Sequence, residues 1–206
     1  NLSTDASGNI TNTLTGLTNG TSYNFIIFTT NPAGNSTSLV YPTINILVGT
    51  VPDPPTIVGV TNGILSLTVT WTAPTSNGGS AITGYQIMDS SGNLRYDGTG
   101  NLALSRTITG LTLNTTYILL VKAINIFGTS STSSPSTSIT VFDVPNVPVG
   151  LISISSTGSV SLSWTAPTNT GGTPITGYNI YDASDNIYNS ITTTFDSDTG
   201  SITTTT

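Results

Sequence analysis

The string Trp-Thr-Ala-Pro occurs twice, at residues 71–74 and 164–167, so its tryptophans stand 93 residues apart. The same offset carries Thr83-Gly84-Tyr85 onto Thr176-Gly177-Tyr178. Upstream, Thr15-Gly16-Leu17 recurs as Thr109-Gly110-Leu111 and Tyr23 recurs as Tyr117, at an offset of 94. A period of this length constrains the fold more than any other property of the chain. Each copy must be one structural unit, and its neighbours must be built alike.

Within the copies apolar residues recur with period two. Leu65, Leu67, Val69 and Trp71 alternate with Ser66, Thr68 and Thr70, and Val160, Leu162 and Trp164 alternate with Ser161 and Ser163. Tyr23, Phe25 and Ile27 alternate likewise, as do Tyr117, Leu119, Val121 and Ala123. Period two is the signature of a strand with one buried face. Proline clusters at Val51-Pro52-Asp53-Pro54-Pro55 and Val144-Pro145-Asn146-Val147-Pro148 interrupt the pattern. Proline fixes φ and removes a ladder donor, so such clusters open or join domains. Gly-rich loops at 76–80 and 169–173, and Asp-rich turns at 89–93 and 182–186, punctuate the strands.

The repeat resembles the fibronectin type III domain. The residues that carry the resemblance in the middle copy are Pro54-Pro55, Trp71, Ala73-Pro74, Gly84-Tyr85, Leu111, Tyr117, Val121, Ala123, Asn125 and Gly128. It implies an all-β fold of tandem, seven-stranded antiparallel β-sandwiches. On that reading residues 1–50 are the C-terminal half of a repeat (strands E, F and G). Residues 51–143 are a complete domain, and residues 144–206 the N-terminal half of another (strands A, B, C, C′ and E). The expected core is Trp71, Trp164, Tyr85, Tyr178, Tyr23, Tyr117, Leu17 and Leu111. Tyr23 and Tyr117, six residues after Leu17 and Leu111, look like the tyrosine corner, in which the phenol bonds back to the loop backbone. Two readings of the ends stand side by side. The chain is a window on a longer array, or residues 1–50 complete the last domain of another copy by strand complementation, which would grow a filament.

Composition narrows the function. Only 6% of residues are charged, with three cations and nine acids for a net charge of −6. A nucleic-acid backbone needs clustered Lys and Arg, so no nucleic-acid partner is expected. No run of 18 apolar residues exists, so no membrane insertion is expected. His, Cys and Glu are absent, leaving no ordinary general base near neutral pH and no thiol nucleophile. The Asp pairs 89/97, 182/185 and 196/198 remain, all in turn-like sequence, where a solvated turn carboxylate is the default. Asp196-Ser197-Asp198-Thr199-Gly200 is a fragment of a calcium-loop pattern without its distal bidentate Glu. The expected F–G loop, Asn125–Ser134, holds no Arg-Gly-Asp. No catalytic residue, cofactor or metal ligand is therefore assigned.

Five Asn-x-Ser/Thr sequons occur, at Asn1, Asn9, Asn19, Asn35 and Asn114. Asn19 and Asn114 fall at the same E–F turn of two copies, where a glycan would be sterically accessible. A chain this rich in Asn, Ser and Thr also produces sequons by chance. The expected function is a non-enzymatic structural or adhesive segment of a fibre, stalk or filament, outside the cell, at a cell surface or on a virion surface. Its partners would be other copies of itself or flanking repeats, with glycans on the sequons. The alternatives are a spacer or carbohydrate-binding accessory array of a secreted enzyme, and a capsid-associated viral surface protein.

Overall fold

Hydroxyl-bearing residues alternating with Leu, Val and Trp make pleated strands one face of which can be buried. The computed structural model, which describes residues 3–4, 6–36, 45–195 and 202–205, is built of such strands, with no helix among them. Six two-residue strands come first: β1 (Ser3–Thr4), β2 (Ile10–Thr11), β3 (Ser22–Tyr23), β4 (Thr30–Asn31), β5 (Gly34–Asn35) and β6 (Ile46–Leu47). They pair as β1 with β2, β3 with β6 and β4 with β5, all antiparallel. The middle of the chain holds β7 (Thr56–Gly63), β8 (Ser66–Thr72), β9 (Gly84–Asp89), β10 (Leu94–Thr99), β11 (Ser105–Ile108), β12 (Thr116–Tyr117), β13 (Leu119–Asn125), β14 (Gly128–Thr129) and β15 (Ile139–Thr140). The rest comprises β16 (Val149–Ser156), β17 (Ser159–Thr165), β18 (Gly177–Tyr181), β19 (Ile187–Phe195) and β20 (Ile202–Thr205).

Contacts divide the chain into two units. The first unit takes Asn1–Gly59, Val69–Arg106 and Ile118–Thr137. Its main sheet runs β10-β9-β13-β14, and β13 faces β9 from Leu119↔Asp89 to Ile124↔Gly84. Val69, Ile87, Leu119, Val121 and Ala123 are fully buried there. Trp71 meets Tyr85 edge-on, with ring centroids 5.4 Å apart and planes at 63°.

Beyond β14 the chain stays beside β13 without forming an ordinary ladder. Ser130, Ser133 and Ser136 each donate a backbone N–H to a β13 carbonyl, of Ala123, Val121 and Leu119 in turn. Each also accepts at its hydroxyl the N–H of that same β13 residue, at 2.9–3.0 Å. Three residues on one side thus match two on the other, with a side-chain oxygen standing in for a carbonyl. Further along, a backbone ladder resumes at β15, which pairs with β12. The first copy repeats one rung: Ser36 donates to the Thr29 carbonyl, and its hydroxyl accepts the Thr29 N–H at 3.1 Å.

The second unit takes Val60–Thr68, Thr107–Tyr117 and Ser138–Thr206. Leu65, expected in strand B, instead sits in the β7–β8 turn at φ 44°. Its N–H donates to Phe142 and its carbonyl accepts from Leu111, which holds that conformation. Leu67, Ile108, Leu111, Tyr117 and Val141 are buried. In the last copy β16 pairs β17, and β18-β19-β20 form a separate sheet. β20 pairs with β19, whereas the corresponding strand of the middle copy, β11, pairs with β8.

Candidate inter-repeat junction

The sequence Ser76-Asn77-Gly78-Gly79 joins β8 to β9 and comes back upon the linker that precedes β7. Gly78 and Gly79 have φ of 72° and 92°, a region where a β-carbon is strained. Short polar side chains shape the turn: Ser76 Oγ accepts the Gly78 N–H and Asn77 Oδ1 the Gly79 N–H. The turn then pairs with the linker. Thr50 donates its N–H to the Gly78 carbonyl at 2.8 Å, and Asp53 donates to the Ser76 carbonyl at 3.0 Å.

Asn125, at the end of β13, closes the arrangement. It is only 4% exposed. Its Nδ2 donates to the carbonyls of Thr50 and Asn77, both at 2.8 Å, and its Oδ1 accepts the Phe127 N–H at 2.8 Å. One side chain thus joins the linker, the β8–β9 loop and the F–G loop, with its amide hydrogens and carbonyl all used. Gly49 lies under the Phe127 ring, where a β-carbon would collide with the ring. In the first copy Asn31 Oδ1 makes the corresponding turn bond to the Ala33 N–H at 2.9 Å.

The loop also reaches the preceding repeat. A β-carbon on Gly79 would collide with the amide nitrogen of Gly20 and the carbonyl carbon of Asn19, so the two backbones touch there. At the 93-residue offset the design recurs. Asp143 donates to the Gly171 carbonyl at 2.8 Å, and Asn146 to the Asn169 carbonyl at 3.0 Å. Gly171 and Gly172 have φ of 74° and 90°, and a β-carbon on Gly172 would collide with Asn114 Oδ1. Both expected E–F sequons therefore lie where the next repeat arrives.

Asp89, Asp97 and Asp182 are occupied in turns. Asp89 Oδ1 accepts the N–H groups of Ser91 and Asn93. Asp89 Oδ2 takes Asn93 Nδ2 at 2.9 Å and Arg95 Nε at 2.8 Å, with Arg95 Nη2 at 2.6 Å. Burial works to raise its pKa, but the Asn93 bonds and the Arg95 charge outweigh it and hold the group at about 2. Asp182 repeats the turn, accepting from Ser184 and Asn186. Bonds from Thr99 keep Asp97 below the ordinary carboxylate range. These acids act as turn acceptors and do not converge on a common point. Asp196–Gly200 and Asn1 lie outside the described residues.

Of the expected core, Trp71, Tyr85, Leu111 and Tyr117 are 3–7% exposed. Burial raises the Tyr85 pKa. The Tyr117 hydroxyl accepts the Thr112 N–H at 3.2 Å, and the Tyr23 hydroxyl accepts the Thr18 N–H at 3.0 Å. That bond lowers the Tyr23 pKa. Trp164, Tyr178, Tyr23 and Leu17 are only half-buried, a correction to their expected place in the core. Trp164 meets Tyr178 edge-on at 5.2 Å, as Trp71 meets Tyr85. However, β18 has a described partner only in β19, whereas β9 is flanked by both β10 and β13. In the first copy the alternating run Tyr23, Phe25 and Ile27 keeps a strand only at β3 among the described residues. Phe25 and Ile27, expected inward, are 42% and 76% exposed. Asn9, Asn19, Asn35 and Asn114 are all exposed.

The family profile "Fibronectin type III domain" matches residues 53–139. Exoglucanase B of Cellulomonas fimi is 34% identical over 203 residues, covering 90% of this chain and 18% of that protein. Chitinase A1 of Niallia circulans is 36% identical over 149 residues, 68% of this chain and 20% of that protein. A titin homolog of Caenorhabditis elegans is 34% identical over 123 residues, 56% of this chain and 1% of that protein. The chain thus spans a fifth or less of these curated relatives. A solved run of titin domains is similar at 33% identity and a TM-score of 0.43, over 48% of this chain and 35% of that one. Residues 53–139 are a fibronectin type III domain.

Proposed function

We propose that the chain is a non-catalytic spacer array, a run of β-sandwich repeats that sets the spacing between other parts of a longer extracellular polypeptide. The junction carries this reading. A tether that needs only slack is served by flexible Gly/Ser coil. Here each linker is instead hydrogen-bonded to the loop that follows it, at both Thr50–Gly78 and Asp143–Gly171. The relatives named as an exoglucanase, an endoglucanase and a chitinase support it, because each matches this chain over a fifth or less of its length. Co-sedimentation tests the reading. A spacer stays in the supernatant over crystalline cellulose and over chitin. Retention on either would replace it with a carbohydrate-binding accessory role.

A second reading, a structural fibre or filament segment at a cell or virion surface, is favoured by one specific observation. Phe25 and Ile27 are exposed on a segment with no ladder, while Trp164 and Ile180 are half-buried. The first segment, from another copy or a flanking repeat, would add a strand beside β18 and cover that face. Light scattering at high concentration decides it: a monodisperse monomer rules out complementation, and growth that ends on deleting residues 1–50 supports it. Glycans on Asn19 or Asn114 belong to either reading, and an intact mass above 21.1 kDa in material from a glycosylating host would register them.

A further inference from the structure

The Gly-Gly loop does two separable things. Toward its own linker it forms hydrogen bonds. Toward the preceding repeat it offers bare backbone, and only a residue without a β-carbon fits. Both glycines hold left-handed φ in both copies, and both would collide with a neighbour in both copies. Gly92 and Gly100 share that left-handed φ, at 85° and 83°, yet have nothing within 4 Å of a β-carbon. Turn geometry alone therefore does not require the close approach seen at Gly79.

We propose that the E–F turn of each repeat is a docking surface whose partner is the Gly-Gly loop of the next repeat, and that this contact holds the joint in one orientation. At the first joint the surface is the backbone of Asn19 and Gly20 against Gly79. At the second it is the side chain of Asn114 against Gly172. Relative motion is the default for consecutive domains joined by a small interface. Here the linker's Thr50 and Asp53 amides are bonded to the loop, Gly49 is wedged under Phe127, and the loop rests on the E–F turn. Swinging the joint would break these contacts together. The inference rests on the spacer reading for its purpose only, since the contacts at the joint do not depend on it.

The test uses the full chain, which has no cysteine of its own. Cysteines replacing Ser22 and Ser91 carry spin labels, and pulsed dipolar spectroscopy reads the distance distribution across the first joint. The parent should give one narrow distribution. Gly79→Ala should make it about twofold broader by freeing the joint. Gly49→Ala should do the same, and it carries no left-handed φ penalty, so it decides the matter if Gly79→Ala fails to fold. Gly100→Ala, strained alike but touching nothing, should stay as narrow as the parent. Broadening in either junction variant with a narrow control supports the docking surface. A broad parent, junction variants as narrow as the parent, or equal broadening in the control would overturn it. None of those outcomes bears on sedimentation with cellulose or chitin, so the spacer reading stands or falls separately.

Discussion

Replacing Asn125 by Ala should show how much the junction contributes to the middle repeat. The change removes two Nδ2 donations, to Thr50 and Asn77, and one Oδ1 acceptance, from Phe127, all at 2.8 Å. A net contribution of about 1 kcal/mol per bond gives about 3 kcal/mol. Thr50 and Asn77 are exposed, so water can reach their freed carbonyls, and the expected loss falls to about 2–3 kcal/mol. Asn125→Asp sharpens the argument. It keeps the acceptor for Phe127 but sets a carboxylate oxygen against two carbonyl oxygens, so it should cost more than Ala. Urea unfolding would be followed by Trp71 fluorescence in a Trp164→Phe background. The midpoint should fall with the slope unchanged, the sign of lost stability without a change in surface exposed. If Asn125→Ala lies within about 0.5 kcal/mol of the parent, or Asn125→Asp matches it, the bonding argument is wrong.

Three further outcomes are expected. Asp89 has a folded pKa depressed from 3.8 to about 2, so its contribution of about 2 kcal/mol is present above about pH 4 and lost as pH falls through about 2; Asp89→Asn should remove that dependence from an acid titration of stability. Tyr117→Phe should cost about 0.5–1.5 kcal/mol through the lost Thr112 bond, and Tyr23→Phe, at a half-exposed site, should cost less in a parallel melt. Trp71→Ala should cost about 3–5 kcal/mol, and Trp164→Ala distinctly less because its ring is only half-buried, which calorimetry of the two variants would separate.

Local chemistry was legible in the sequence wherever it repeats or alternates. Trp71 and Tyr85 could be placed inside from period two, and Asp89–Asn93 could be read as a turn from its Asp, Ser, Gly and Asn. Arg95 as the partner of Asp89 could not, because nothing in its spacing separates it from any exposed cation. Leu65 continued the alternation yet turned left-handed, since bonds to Phe142 and Leu111 decided its conformation. The serines at 130, 133 and 136 carried a period of three, which a search for period two passes over. The junction was least visible. Asn125 could be recognised as a marker of the repeat, but its bonds span 75 and 48 residues to Thr50 and Asn77. Nor does a Gly-Gly pair in sequence distinguish a loose turn from one pressed against a neighbour.

The serine rungs beside β13 have a consequence for behaviour in a crowded solution. A β-sheet that ends in free carbonyls and amides invites another chain to add on, and proteins commonly discourage this with lysine or other charge along the border strand. This chain has only three cations in 206 residues to spend on that task. Instead each rung serine turns its hydroxyl proton to the carbonyl of the following residue, Ser131, Ser134 or Thr137, at 2.7–2.9 Å. Pro135, between two rungs, has no amide hydrogen to offer. Three carbonyls and one amide position along this border are thus withdrawn from pairing without the use of charge. A nearly uncharged repeat can then be strung at high local concentration with little tendency to aggregate through that border.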